Sequence, residues 1–390
     1  MTPAARVQAA IEILDLVIGA ARANGAPADR LIGDWFRARR YAGGGDRRAI
    51  RELAYRAIRA CGEIPETGRA AMLQLAAGDP AIAALFDGAR HAPEPILPGE
   101  PMASGGVAPA WLVQRLEASG LDQAEAEALL GRAPLDVRVN TLRPGVPSLP
   151  PGGERTAAAN GWRFPPETRI EQTTAYAQGA IEVQDTGSQL TCEVVAARPG
   201  ETVIDLCAGA GGKTLALAAA MENAGTLLAC DADRTRLSRL SPRAERAGAT
   251  NITTVLLDPG KELEALERFR DGADAVLVDA PCSGTGTWRR NPEARWRLTE
   301  KQLARYVAIQ SRLLDVGASL VRKGGRLVFV TCSLLDAEGA EQAQRFLERH
   351  PGWTPAIPEL PLGRARGPGI RLSPQHDGTD GFFVARFVRL

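Results

Sequence analysis

Two cysteines stand in segments suited to a reactive thiol: Asp279-Ala280-Pro281-Cys282-Ser283-Gly284-Thr285-Gly286 and Thr331-Cys332-Ser333. Each segment closes a short apolar run that reads as a strand, and at a strand tip nearby N–H groups or positive charge lower a thiol's pKa and make it a nucleophile. A lone cysteine there is ordinarily an inert small hydrophobe. Two of them accompany a glycine turn, Val203-Ile204-Asp205-Leu206-Cys207-Ala208-Gly209-Ala210-Gly211-Gly212-Lys213-Thr214, which reads as strand, turn and helix start. Glycines let the backbone approach a ligand closely, and the helix beginning after them offers unpaired N–H groups. The same turn occurs in α/β proteins that bind nothing there. Asp231 adds to the signal: it ends a second strand, Thr226 to Cys230, about 20 residues beyond the turn, where a carboxylate can accept both hydroxyls of a ribose. The pair implies a nucleoside-bearing cofactor.

These residues need a sheet to hold them. Beyond Val183 the sequence alternates strands and helices, the pattern of an open, largely parallel sheet wrapped by helices on both faces. The expected strands are Thr202–Leu206, Thr226–Cys230, Ile252–Leu257, Ala275–Val278, Arg326–Thr331 and Phe382–Val388. Ligands of such sheets gather at the C-terminal strand ends, where Asp231, Asp258, Asp279 and Cys332 fall.

The N-terminal part is different. Apolar residues at helical spacing (Val7, Ala10, Ile11, Leu14, Val17, Ile18) predict a helix from Ala4 to Ala23, and further helices follow near Asp29–Tyr41, after Gly43-Gly44-Gly45 with Asp46 as N-cap, and at Thr67–Ala76 and Pro80–Phe86. Residues 1–90 therefore read as an all-α domain. Its arginines (Arg30, Arg37, Arg39, Arg40, Arg47, Arg48, Arg51, Arg56, Arg59), with Trp35, Phe36 and Tyr41 among them, suit phosphate contacts as well as a solvated face. From His91 to Val107 proline and glycine give a linker composition, and residues 91–175 read as a linker with short helices and a small bridging region. The third part is 176–390.

The 390-residue chain is long enough for two or three cores, with 45% hydrophobic and 24% charged residues. No apolar run reaches the ~20 residues a membrane span needs, and no secretory signal pattern opens the chain, so a cytoplasmic protein is expected. Six cysteines without a CxxC pair speak against a zinc ribbon or disulfide framework, and three histidines leave little material for a histidine hydrolase or a metal site. No metal is expected. A net charge of +1 says nothing of nucleic acid by itself.

From about Ala108 onward the chain resembles the Sun/RsmB-type RNA cytosine-C5 methyltransferases. The resemblance rests on Val183–Leu190 (Val-Gln-Asp-Thr-Gly-Ser-Gln-Leu), Asp205–Thr214, Asp279–Gly286, Arg289-Arg290-Asn291-Pro292, Thr331-Cys332-Ser333-Leu334 and Asp380-Gly381-Phe382-Phe383, in matching order. The N-terminal helices resemble, more weakly, the NusB-like RNA-binding domain of the bacterial ribosomal-RNA branch. Two departures stand out: Gly209-Ala210-Gly211-Gly212 replaces Ala-Pro-Gly-Gly, and Asp336-Ala337-Glu338-Gly339 replaces a more acidic run containing Asn.

The resemblance implies a Rossmann-like methyltransferase domain that uses S-adenosylmethionine. It implies a cofactor site made of Cys207, Ala208, Gly209, Ala210, Gly211, Gly212, Lys213, Asp231 on the ribose, Asp258 near the adenine and Asp279 between cofactor and base. Cys332 would be the nucleophile and Cys282 the residue that assists product release. Carbon 5 of cytosine is a poor nucleophile, so a thiolate adding to carbon 6 makes it enamine-like and able to take a methyl. Arg289, Arg290 and Arg295, with Trp288 and Trp296, are expected to hold RNA phosphates and stacked bases; packing by the tryptophans is the alternative. The expected partner of this monomer is RNA, foremost 16S ribosomal RNA. The same chemistry on transfer RNA, or a noncatalytic RNA-binding or assembly factor, remains open at this point.

Overall fold

The computed structural model describes residues 1–145, 148–357 and 359–390. The chain divides into two compact units, Met1–Gly131 with Thr287–Thr299, and Arg132–Gly286 with Glu300–Leu390. Among the described residues no helix is long and apolar enough to cross a membrane.

The first unit contains helices and, among its described residues, no strand. Its longest helix, Pro3–Arg22, starts on Thr2, whose hydroxyl accepts from the Ala5 N–H at 3.2 Å. It buries Val7, Ala10, Ile11, Leu14, Val17 and Ile18, the stripe picked out by 3.6-residue periodicity. Helices Ala28–Ala38, Gly44–Ala60 and Gly68–Ala77 complete the core around it. Asp46 does not cap the third of these four: Gly43 does, and the Asp46 carboxylate sits in the first turn, 2.8 Å from Arg6, where negative charge complements the helix dipole.

The proline-rich stretch after His91 is no free linker. Arg69 donates to the carbonyls of Glu94 and Pro95 at 3.1 Å each and pairs with Glu100, while Ala103 N–H bonds to the Ala70 carbonyl at 3.1 Å. Its backbone groups are thus answered by the helix Gly68–Ala77, and the helical unit runs to Gly131 rather than ending near residue 90.

The returning segment corrects a second expectation. Arg295 does not face outward: it is 0% exposed, and it donates to the carbonyls of Ile58 and Cys61, each at 2.7 Å, and to that of Pro292. Ile58 and Cys61 lie at the C-terminal end of Gly44–Ala60, where the last carbonyls have no partner within the helix. Arg297 does the same beyond the end of Pro3–Arg22, donating to Gly25 at 2.9 Å and Ala26 at 2.8 Å. Trp296 packs into the helical core, and Trp288 and Arg289 are buried as well. Arg295 and Arg297 thus close helix ends, an office no local pattern distinguishes from phosphate binding.

In the second unit a small antiparallel sheet, ordered β2-β3-β1-β4, is built from β1 (Leu135–Val139), β2 (Glu154–Arg155), β3 (Gly161–Phe164) and β4 (Ile181–Val183). Residues 132–175 therefore belong with the α/β unit rather than to a linker. The main sheet comprises β5 (Thr202–Asp205), β6 (Thr226–Asp231), β7 (Ile252–Leu256), β8 (Ala273–Asp279), β9 (Val321–Thr331), β10 (Trp353–Pro355), β11 (Arg364–Arg366), β12 (Gly369–Leu372) and β13 (Phe382–Arg389). Its order is β11-β12-β13-β9-β8-β5-β6-β7, with β10 pairing β13. Strands β7, β6, β5, β8 and β9 are parallel, and β13 returns antiparallel to β9. Apolar side chains cover both faces of β5, β6, β8 and β9, as a sheet wrapped by helices requires, while β7 forms a more exposed edge. The chain runs from β5 outward to β7, then resumes at β8 on the other side of β5, and that reversal opens a crevice at the C-terminal strand ends.

Candidate active site

The crevice holds a cavity of about 500 Å³ lined by residues that include Leu206, Cys207, Asp231, Asp279, Cys282 and Cys332. Its volume falls in the range of small-molecule sites. Every one of those residues follows or ends a parallel strand.

The turn after β5 is shaped by two glycines. Gly209 has φ +55°, and a Cβ there would lie 2.6 Å from the Arg236 guanidinium; Gly211 has φ +86°, and a Cβ would lie 2.1 Å from Leu240 Cδ1. Both positions need glycine for their backbone conformation, and Gly211 needs it for space as well, since the Arg236 guanidinium can swing away from Gly209. The helix Gly212–Ala220 starts directly after them. Asp231 is buried and accepts from Gly209 N–H and Asp233 N–H, each at 2.7 Å, so β6 and the glycine turn are locked together around one carboxylate. Below the turn, burial pushes the Asp205 carboxyl up to about 7, against a 2.7 Å hydrogen bond from Thr214.

Lys213, 11% exposed, reaches across to Asp279 at 2.7 Å. Burial works against its charge, but the Asp279 carboxylate outweighs that and raises its pKa, so it stays an ammonium. This ion pair sits beside the two thiols. Cys282 Sγ and Cys332 Sγ are 3.3 Å apart, one on the loop after β8, the other directly after β9. The contact with Cys332, followed by burial, pushes the Cys282 thiol well up. Cys282 is therefore disfavoured as a thiolate, and either sulfur of the pair can donate to the other. Burial raises the other four cysteines, Cys61 and Cys192 to about 12, and Cys207 and Cys230 likewise upward. They are inert thiols.

Of the expected cofactor residues, Cys207, Asp231 and Asp279 line the cavity and Lys213 pairs with Asp279, whereas Ala208, Gly209, Ala210, Gly211 and Gly212 are not among its lining residues. Asp258 is exposed, and its neighbours Leu257 and Pro259 line the cavity instead. Among the expected RNA contacts, Arg289 is buried, Arg290 half-buried and Arg295 enclosed as described.

Other lining residues carry no motif. The helix Glu300–Leu320 presents Arg305, Tyr306 and Arg312, and Arg312 pairs with Glu262, which also accepts from Gly260 N–H at 3.1 Å. Glu338 is buried behind the Cys282 loop. Their only trace in the sequence is a polar residue on an otherwise apolar helix face, or in a short connection.

A family model described as 16S rRNA methyltransferase RsmB/F matches residues 192–388. A protein of Synechocystis sp. named "Probable ribosomal RNA small subunit methyltransferase B" is 33% identical over 302 residues, 72% of this chain and 66% of its own length. The Xylella fastidiosa protein named "Ribosomal RNA small subunit methyltransferase B" is 34% identical, covering 72% of this chain and 67% of its own. The chain thus spans about two thirds of the length of these relatives. Among solved structures, the crystal structure of PH0851 superimposes with a TM-score of 0.78 at 25% identity over 100% of this chain and 99% of that one. A methyltransferase homolog from Pyrococcus horikoshii gives 0.60 at 26% identity, over 72% of this chain and 99% of that one. The chain belongs to the RsmB/F family of 16S rRNA methyltransferases.

Proposed function

We propose that this protein transfers a methyl group to carbon 5 of a cytosine in 16S ribosomal RNA through a covalent adduct with Cys332. The observation that carries the reading is the pair of sulfurs 3.3 Å apart in the same cavity as Asp231 and Asp279. The names of the relatives support the choice of ribosomal RNA.

S-adenosylmethionine is the cofactor that family and fold imply, and the residues present fit it. The glycine turn excludes side chains where a ligand's tail must approach, Asp231 offers a buried carboxylate suited to ribose hydroxyls, and Leu257, Ile309 and Leu313 give apolar walls for a purine. When bound, it supplies an electrophilic sulfonium methyl. The chain's own groups do the rest. Cys332 thiolate adds to carbon 6 of the base, and carbon 5 becomes nucleophilic. The Asp279–Lys213 pair stabilises the charge that develops on the ring. Once Cys332 is consumed in the adduct, the contact that held the Cys282 proton is gone, and Cys282 releases that proton to water. It then takes the proton from carbon 5, directly or through water. The carbon 6–sulfur bond breaks, its electron pair returns to Cys332, and the original thiol–thiolate pair is restored.

Contacts to RNA are assigned to the helical unit. There Arg37, Arg47, Arg48 and Arg51 line a groove with Phe36, a combination suited to phosphate and base. The base must leave its stack to reach a thiol in a cavity.

The test uses 16S ribosomal RNA transcript and S-adenosylmethionine labelled in its methyl group. Cys332→Ala is expected to abolish labelling of the RNA while cofactor binding, followed by calorimetry, persists. Retained turnover would reject Cys332 as the nucleophile.

A further inference from the structure

We propose that Glu338 is a positioning residue for product release, holding the Cys282 loop against the tip of β9. This rests on the covalent reading above. Glu338 is 0% exposed, and among the described residues no lysine or arginine pairs with it. A buried carboxylate without a cation is costly unless hydrogen bonds answer it. Here three do: Ser283 N–H at 2.9 Å, Gln310 Nε2 at 3.0 Å and the Ser283 hydroxyl.

These bonds bracket Cys282. The Gln310 amide that donates to Glu338 also donates to the Pro281 carbonyl at 2.9 Å, so the residue before Cys282 and the residue after it are tied to one buried pair. The clamp also reaches Cys332. Ser283 Oγ lies 3.2 Å from Ser333 Oγ, and the Thr331 hydroxyl donates to the Glu338 carbonyl at 3.3 Å.

The two thiols do not need this help equally. Cys332 directly follows β9, which is paired on one side by β8 and on the other by β13. Cys282 sits on a loop beyond the end of β8, outside the ladder, so side-chain bonds decide where its sulfur stands. Loss of the clamp therefore leaves attack by Cys332 nearly intact and misplaces the group that takes the proton from carbon 5. A misplacement of about 1 Å suffices to slow such a step a hundredfold.

The experiment follows adduct formation and decay on denaturing gels with 16S ribosomal RNA transcript and S-adenosylmethionine. For Glu338→Ala we expect adduct formation within threefold of the unaltered protein, decay slowed at least tenfold, and cofactor affinity within twofold. Glu338→Gln keeps one acceptor oxygen for the Ser283 N–H and Gln310, so its decay should fall between the two. Ser283→Ala, which keeps the backbone donor, should slow decay more mildly. Formation and decay slowed in equal proportion would mean a merely structural role and overturn the proposal, as would unchanged decay. Should thermal melting show that Glu338→Ala does not fold, Glu338→Gln and Ser283→Ala decide: unchanged decay in both overturns it. Cys282→Ala separates the two readings. If it traps adduct while the Glu338 variants release normally, only the clamp is rejected; if it traps none, the covalent reading itself fails.

Discussion

Replacing Arg295 with Met removes a guanidinium that serves two helix-end carbonyls while keeping most of the buried volume. Hydrogen bonds from a charged donor each contribute about 1.5–3 kcal/mol. Two of the three acceptors keep a weaker donor: Cys61 N–H is 3.3 Å from the Ile58 carbonyl, and Trp296 Nε1 is 3.3 Å from that of Cys61. The lower end of the range therefore applies, and the loss comes to about 4 kcal/mol, a large share of the 5–15 kcal/mol typical of a folded domain. At about 3 °C per kcal/mol for a unit of this size, calorimetry should show one transition lowered by roughly 10 °C. Filter binding of 16S ribosomal RNA transcript, measured below that transition at several salt concentrations, should keep its slope, because no phosphate contact is lost. An unchanged transition with the salt slope reduced by about one would mean that Arg295 holds phosphate after all, and would refute the helix-end reading.

Asp231→Ala should weaken S-adenosylmethionine binding by about 10- to 100-fold in calorimetry, because the loss of one carboxylate frees the Gly209 turn and removes the acceptor for ribose hydroxyls, about 1.5–3 kcal/mol; unchanged affinity would remove Asp231 from the site. Asp205 gives a pH signature. Its folded-state pKa of about 7 lies above the ordinary aspartate value of 3.8, so the folded state binds the extra proton between those values, and stability falls as pH rises from about 4 to about 7 and is level above. Asp205→Asn should flatten that slope in urea midpoints taken across the window. Equal slopes in both proteins would mean that Asp205 is ionised in the fold throughout.

Local pattern made the catalytic sheet readable. All of the expected strands from Thr202 to Val388 are present, because buried parallel strands are short apolar runs and their tips carry the polar residues that matter. Strands β10, β11 and β12 were not, since Trp353–Pro355 and Gly369–Leu372 are strands only through pairing with β13, and Arg364–Arg366 only through pairing with Gly369–Leu372. Arg295 shows the limit most plainly. An Arg-Trp pair after a glycine-rich loop looks like a nucleic-acid contact, and only the tertiary course of the chain, returning to helices more than two hundred residues earlier, turns it into a cap. Glu338 was visible merely as a departure from the family's run after Cys332. Its role depends on Gln310 and Ser283, which approach it only when β8, β9 and the helix Glu300–Leu320 pack together.

In the proposed mechanism Cys332, not Cys282, bonds to the base. Cys282→Ala incubated with 16S ribosomal RNA transcript and S-adenosylmethionine, digested with nuclease and protease and read by mass spectrometry, should yield a methylated cytidine nucleotide on the peptide that contains Cys332. A nucleotide mass on any other peptide, or none on this one, would contradict it.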